Sequence, residues 1–250
     1  MLVSPQNKFI FFKPMKCAGS SIEYALLQEC GDNALCTGGE SEHLPTIEYH
    51  NRNNYFSEKG ERMTRFHSHT WPDLFFRRIK NHAIYDEYTK ISMLRNPWDA
   101  LVSAYWWDAR AVENSHPLLI DAHDSFHVAQ EKFEKWMHTI TTDDDGIITA
   151  ELGSAISPFG LTALQRVSLI NEKFVHPSVD HYIAFETLNN DYVRVCRELS
   201  VAQHTLKKFK AGARKLKRHY SHYYNSHTRD QVANKFPKTI TRLEYVFEED

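Results

Sequence analysis

The sequence predicts an α/β fold, a single domain over residues 1–250 with a central, mainly parallel β-sheet flanked by helices. Three observations predict it. Short apolar or aromatic runs recur at Lys8–Lys13 (KFIFFK), Tyr88–Leu94 (YTKISML) and His181–Glu186 (HYIAFE). Each is followed by a stretch with helical spacing, and such alternation builds parallel sheets with helical crossovers. A chain of 250 residues with 42% hydrophobic content can also bury one sizeable core.

In order along the chain, Lys8–Lys13 has the unbroken apolar character of a buried strand, and Pro14 stops it by removing a ladder donor. A helix follows from Ser20. Ser20 and Glu23 have capping-box spacing, and Ile22, Ala25 and Leu26 share one face. Residues 31–60 are polar and aperiodic, which predicts loops with at most one minor strand. Arg62–His67 predicts a second strand, Trp71–Ile79 a short helix and Tyr88–Leu94 a third strand. Asn96-Pro97 then places an N-cap before a proline at the first helical position, with a helix running to about Arg110. A helix over 125–139 around Phe126, Phe133 and Trp136, a turn at Asp143–Gly146, a strand at His181–Glu186, a helix at Leu188–Leu199 and two helices after His227 complete the reading.

Composition narrows the function. The net charge of −2 gives no overall basic footprint for nucleic acid. The apolar run Phe9–Phe12 is too short for a membrane span, which needs about 18 residues. Four cysteines without CxxC pairing point to a reducing, cytoplasmic setting.

Two segments stand where anions bind. The loop Lys13-Pro14-Met15-Lys16-Cys17-Ala18-Gly19-Ser20-Ser21 joins a strand to a helix N-terminus, whose unsatisfied N–H groups favour a phosphate-like group. Lys16 adds a point charge, Ser20 and Ser21 add hydroxyls, and Gly19 allows close backbone approach. An ordinary capped βα turn is the alternative. The GxxxxGK[ST] pattern is absent, which argues against an ATPase or kinase. The second segment, Leu94 to Tyr105 (LRNPWDALVSAY), lies at another strand-to-helix junction. Ser103 follows Asn96 by close to two helical turns, so its hydroxyl can share a face with the helix start beside Arg95. Here the alternative is a capped helix with Arg95 in an ion pair.

The first loop resembles the 5′-phosphosulfate loop of the sulfotransferases that use 3′-phosphoadenosine 5′-phosphosulfate (PAPS), with one extra residue between the proline and Lys16. The second is similar to that family's 3′-phosphate motif, an Arg-x-Pro followed by Ser-x-Tyr. Asp99 stands where the family often carries an arginine. The resemblance implies a P-loop-like, three-layer domain that transfers a sulfuryl group from PAPS to a hydroxyl or amine of a small-molecule or carbohydrate acceptor. The product would be 3′-phosphoadenosine 5′-phosphate (PAP), with no metal required. It assigns Lys16, Cys17, Ala18, Gly19, Ser20 and Ser21 to the phosphosulfate, and Arg95 and Ser103 to the 3′-phosphate.

Phe66-His67-Ser68-His69-Thr70 follows the second predicted strand. Imidazole suits proton removal near neutrality, and the His-x-His is similar to that of the heparan sulfate 2-O-sulfotransferase branch. His69 is the expected base, with His67 in support; a zinc pair or a plain surface pair is the alternative. Lys207–Arg218 carries seven basic residues and no acidic one. By resemblance to the family's C-terminal segment, Arg214, Lys215 and Arg218 are candidates for the 3′-phosphate or an anionic acceptor. A solvated face or a polyanion-binding module remains the competing reading.

Overall fold

The computed structural model describes residues 1–37, 69–79, 82–111, 118–120, 123–142, 148–150, 172–209, 212 and 214–250. The chain divides into two compact units, each assembled from separated stretches: residues 1–94 with 176–209, and residues 95–175 with 210–250.

The first unit is built on a five-stranded sheet. Its strands are β1 (Leu2–Ser4), β2 (Phe9–Phe12), β3 (Leu35–Cys36), β4 (Thr89–Leu94) and β7 (His181–Ala184), in the order β3-β1-β2-β4-β7. β2, β4 and β7 run parallel, in a register that pairs Phe11 with Ile91 and Ile91 with His181. β1 is antiparallel to both β2 and β3. Phe9 to Phe12 are all fully buried, which explains why the run is apolar without alternation. β1 was not anticipated, because three residues are too few to show a period.

Helices cover both faces. α1 (Gly19–Leu27) and α5 (Leu188–Glu198) bury Ile22, Ala25, Leu26, Val195 and Cys196 with Phe9, Phe11, Ile91, Met93 and Ile183. On the opposite pleat Phe12 meets Phe75 of α2 (Pro72–Arg78), ring edge to face at 5.6 Å. The three-layer α/β reading therefore holds for this unit.

In the second unit α3 (Pro97–Ala111), α4 (Phe126–His138), α6 (Ser226–Lys235) and α7 (Pro237–Leu243) accompany an antiparallel pair, β5 (Ile140–Thr142) with β6 (Ile148–Ala150). Its core is aromatic: Tyr105, Phe133, Trp136 and Tyr223 are fully buried. Phe133 stands edge-on to Tyr223 and Tyr224 at 5.6 and 5.1 Å. The expected strand at 62–67 and turn at 143–146 lie outside the described residues.

Candidate functional site

The first candidate element is the passage from β2 into α1. Pro14 cannot continue the ladder, and Lys16 and Ala18 both adopt left-handed backbone, with φ of 61° and 59°. Such a conformation costs a non-glycine residue on the order of 1 kcal/mol, and two of them within three residues curl the chain tightly ahead of α1. The Cys17 thiol donates to the Met15 carbonyl at 3.2 Å, tying the curl from inside. The Ser21 amide donates to the Ala18 carbonyl at 2.9 Å as the helix begins. Ser20 is half-buried and Ser21 buried.

The expected capping box is not formed. α1 begins at Gly19 with Ala18 as its N-cap and no side-chain cap. Glu23 is instead drawn into the interior, where it is fully buried and ion-paired to Lys13 and to the Met1 amino group, the latter at 2.9 Å. Burial alone pushes the Glu23 carboxyl up. The two cations outweigh it and hold the group below the usual carboxylate range. Gly19 is needed for a reason the sequence did not show: a Cβ built there would lie 2.3 Å from Cγ of Lys13. The close approach is made by a side chain of the same loop.

His69 comes to this loop. Its Nδ1 lies 2.8 Å from the Lys13 carbonyl, across 56 residues of sequence. A carbonyl only accepts, so Nδ1 carries the proton, and the lone pair of the neutral ring is at Nε2. His67 lies outside the described residues.

The second candidate element begins at Arg95, immediately after β4. Asn96 caps α3 as expected, its Oδ1 accepting from the amides of Trp98 and Asp99 at 3.1 and 3.4 Å. Arg95, nearly buried, donates through Nε and Nη2 to Asp99 Oδ2 at 2.9 and 2.5 Å. Arg214 donates through Nη1 to Asp99 Oδ1 at 3.0 Å and lies over the Tyr223 ring, 5.3 Å from its centroid. Its Nη2 reaches the Arg218 carbonyl, while its buried Nε has no hydrogen-bond partner. One carboxylate thus gathers two guanidinium groups, and the Arg214 Nε stays a buried donor without a hydrogen-bond partner. Ser103 sits half-buried two turns along α3. Lys215 and Arg218 are exposed, with Arg218 over Phe126 at 5.6 Å.

Structure therefore brings His69 to the loop that holds Lys16, and Arg214 to Arg95. Sequence reasoning named Lys13, Glu23 and Asp99 but gave none of them a role at the site. A signal for one of them existed: Gly19, Ile22, Glu23 and Leu26 follow helical spacing, so Glu23 lies in the apolar stripe, where a charge demands a buried partner.

All four cysteines are free. Among the described residues no helix is long and apolar enough to cross a membrane, and no group of three or more His, Cys, Asp or Glu side chains is placed to hold a metal ion.

A tightly curled strand-to-helix loop beside a sheet whose central strands run parallel defines the first unit as an α/β fold. The family model for the sulfotransferase family matches residues 1–250, and the chain belongs to that family. The match extends to no particular branch. Among solved structures the chain is similar to a sulfotransferase from Alicyclobacillus acidocaldarius, at 17% identity over 95% of this chain and 94% of that one, with a TM-score of 0.37. No curated protein sequence matches it.

Proposed function

We propose that the protein transfers a sulfuryl group from PAPS to a hydroxyl or amine of a carbohydrate or small-molecule acceptor, acting as one domain over residues 1–250. The observation that carries this reading is the hydrogen bond from His69 Nδ1 to the Lys13 carbonyl, which sets a histidine with its lone pair on Nε2 beside the loop from β2 to α1. The residues fit the cosubstrate: the curled backbone of 15–19 suits a phosphosulfate, and the unpartnered Nε of Arg214 beside Arg95 suits a second phosphate.

In this reading PAPS supplies the sulfuryl group and leaves as PAP. Lys16, the backbone of Cys17, Ala18 and Gly19, and the hydroxyls of Ser20 and Ser21 bind the 5′-phosphosulfate. The Lys16 ammonium offsets charge that grows on the leaving oxygen, a stabilisation prepared before the reaction. Arg95, Ser103 and Arg214 bind the 3′-phosphate, and exposed Lys215 and Arg218 add positive charge for it or for an anionic acceptor. His69 Nε2 takes the acceptor proton. The four free thiols suit a reducing, cytoplasmic setting.

Two measurements test this. PAP at about 100 times its dissociation constant should stabilise the fold by about 2.7 kcal/mol, roughly 5–10 °C in melting temperature, without magnesium. PAPS offered to acceptor pools should give a mass shift of one sulfuryl group. A shift with magnesium-ATP and none with PAP would instead make the protein a nucleotide kinase.

A further inference from the structure

Lys13 opens the loop of the first candidate site and also meets His69, yet neither the phosphosulfate nor the acceptor proton is assigned to it. Its side chain is 3% exposed and its ammonium is ion-paired to the fully buried Glu23. Its stem passes where a Cβ on residue 19 would sit, 2.3 Å from Cγ and 3.0 Å from Cδ. Its carbonyl accepts from His69 Nδ1 at 2.8 Å. An ordinary surface lysine would swing away from a new methyl group, but this one is held at its carbonyl by His69 and at the ammonium by Glu23. The contact with Gly19 is therefore stiff.

We infer that Lys13 is a positioning residue that sets the anion loop and the tautomer of His69 together, with Gly19 shaped to admit its stem and Glu23 as its anchor. The inference rests on the loop and His69 having the roles proposed above. It places the need for glycine at position 19 in the protein's own packing rather than in the approach of a ligand. Displacing the Lys13 stem would shift its carbonyl, and with it the ring that the carbonyl orients.

The test is a cycle of Gly19→Ala, Lys13→Ala and the double variant, with kcat/KM measured where circular dichroism shows each fully folded. Lys13→Ala leaves Glu23 its contact with the Met1 amino group. A displacement near 1 Å can cost about 10²-fold in rate, so Gly19→Ala should lose on the order of 10²-fold, Lys13→Ala about tenfold, and the double variant no more than the worse single change. Losses that multiply would overturn the inference, since they would mean that Gly19 and Lys13 act independently. A second measurement does not depend on Lys13→Ala folding. Nitrogen-15 spectra of labelled histidine should show His69 in the Nδ1–H tautomer in the native protein and a mixture in Gly19→Ala. An Nε2–H tautomer in the native protein, or one tautomer unchanged in Gly19→Ala, would also overturn it. Neither spectrum depends on PAP binding, so a failure of the PAPS reading remains distinguishable.

Discussion

At the scale of single residues, charge placement decides most of what is distinctive here. Glu23 is stable as an anion only because Lys13 and the Met1 amino group reach it. Removing the carboxylate in Glu23→Ala strands the buried Lys13 ammonium and Met1 amino group and should cost about 3–5 kcal/mol, read from denaturant unfolding. Because the folded Glu23 carboxyl titrates below its unfolded value of 4.5, its contribution is complete above that pH and is lost as pH falls through the folded value. Melting temperature should therefore drop on acidification below about pH 4.5, and Glu23→Gln should flatten that limb. Arg95→Ala tests the other site. The charged hydrogen bonds it removes are worth about 1.5–3 kcal/mol, so affinity for PAP should fall roughly 10- to 100-fold, while affinity for AMP, which lacks the 3′-phosphate, should stay as it was. Equal losses for both nucleotides would move Arg95 away from the 3′-phosphate.

Among the elements, legibility followed the strength of local rules. The Asn96-Pro97 start of α3 was readable because cap and proline act within four residues, and Phe9–Phe12 because a strand buried on both faces needs no alternation. The start of α1 was misread: capping-box spacing is a local pattern, and burial of Glu23 is a tertiary event that overrode it. The pairing of Arg95 with Arg214 through Asp99 spans more than a hundred residues and leaves no periodic trace in sequence. Another local device ties β7 to α5. Asp191 Oδ2 accepts from the Ala184 amide at 2.9 Å and the Thr187 hydroxyl at 2.7 Å, and Arg194 donates to Oδ1 at 2.9 Å. Burial raises this carboxyl, and these donors outweigh it to hold it below 3.8. Asp191→Ala should cost about 1.5–3 kcal/mol, and Asp191→Asn should weaken the stability loss below about pH 3.8, both measurable by chemical unfolding.

For the whole molecule, the division into two units was not legible, since each is discontinuous and no linker marks the crossings at 94–95, 175–176 and 209–210. A fragment of residues 1–175 lacks β7 and α5. It should show no cooperative unfolding transition, whereas a PAP-binding fragment of that length would contradict the described sheet. The parallel pairing of β7 with β4 also sets a clock on synthesis. At about 5–20 residues per second, the roughly 90 residues between the two strands take about 5–20 s to emerge from the ribosome. Through that interval β4 waits with one apolar edge open, so the nascent chain is most exposed to chaperones and to aggregation between the making of these two strands.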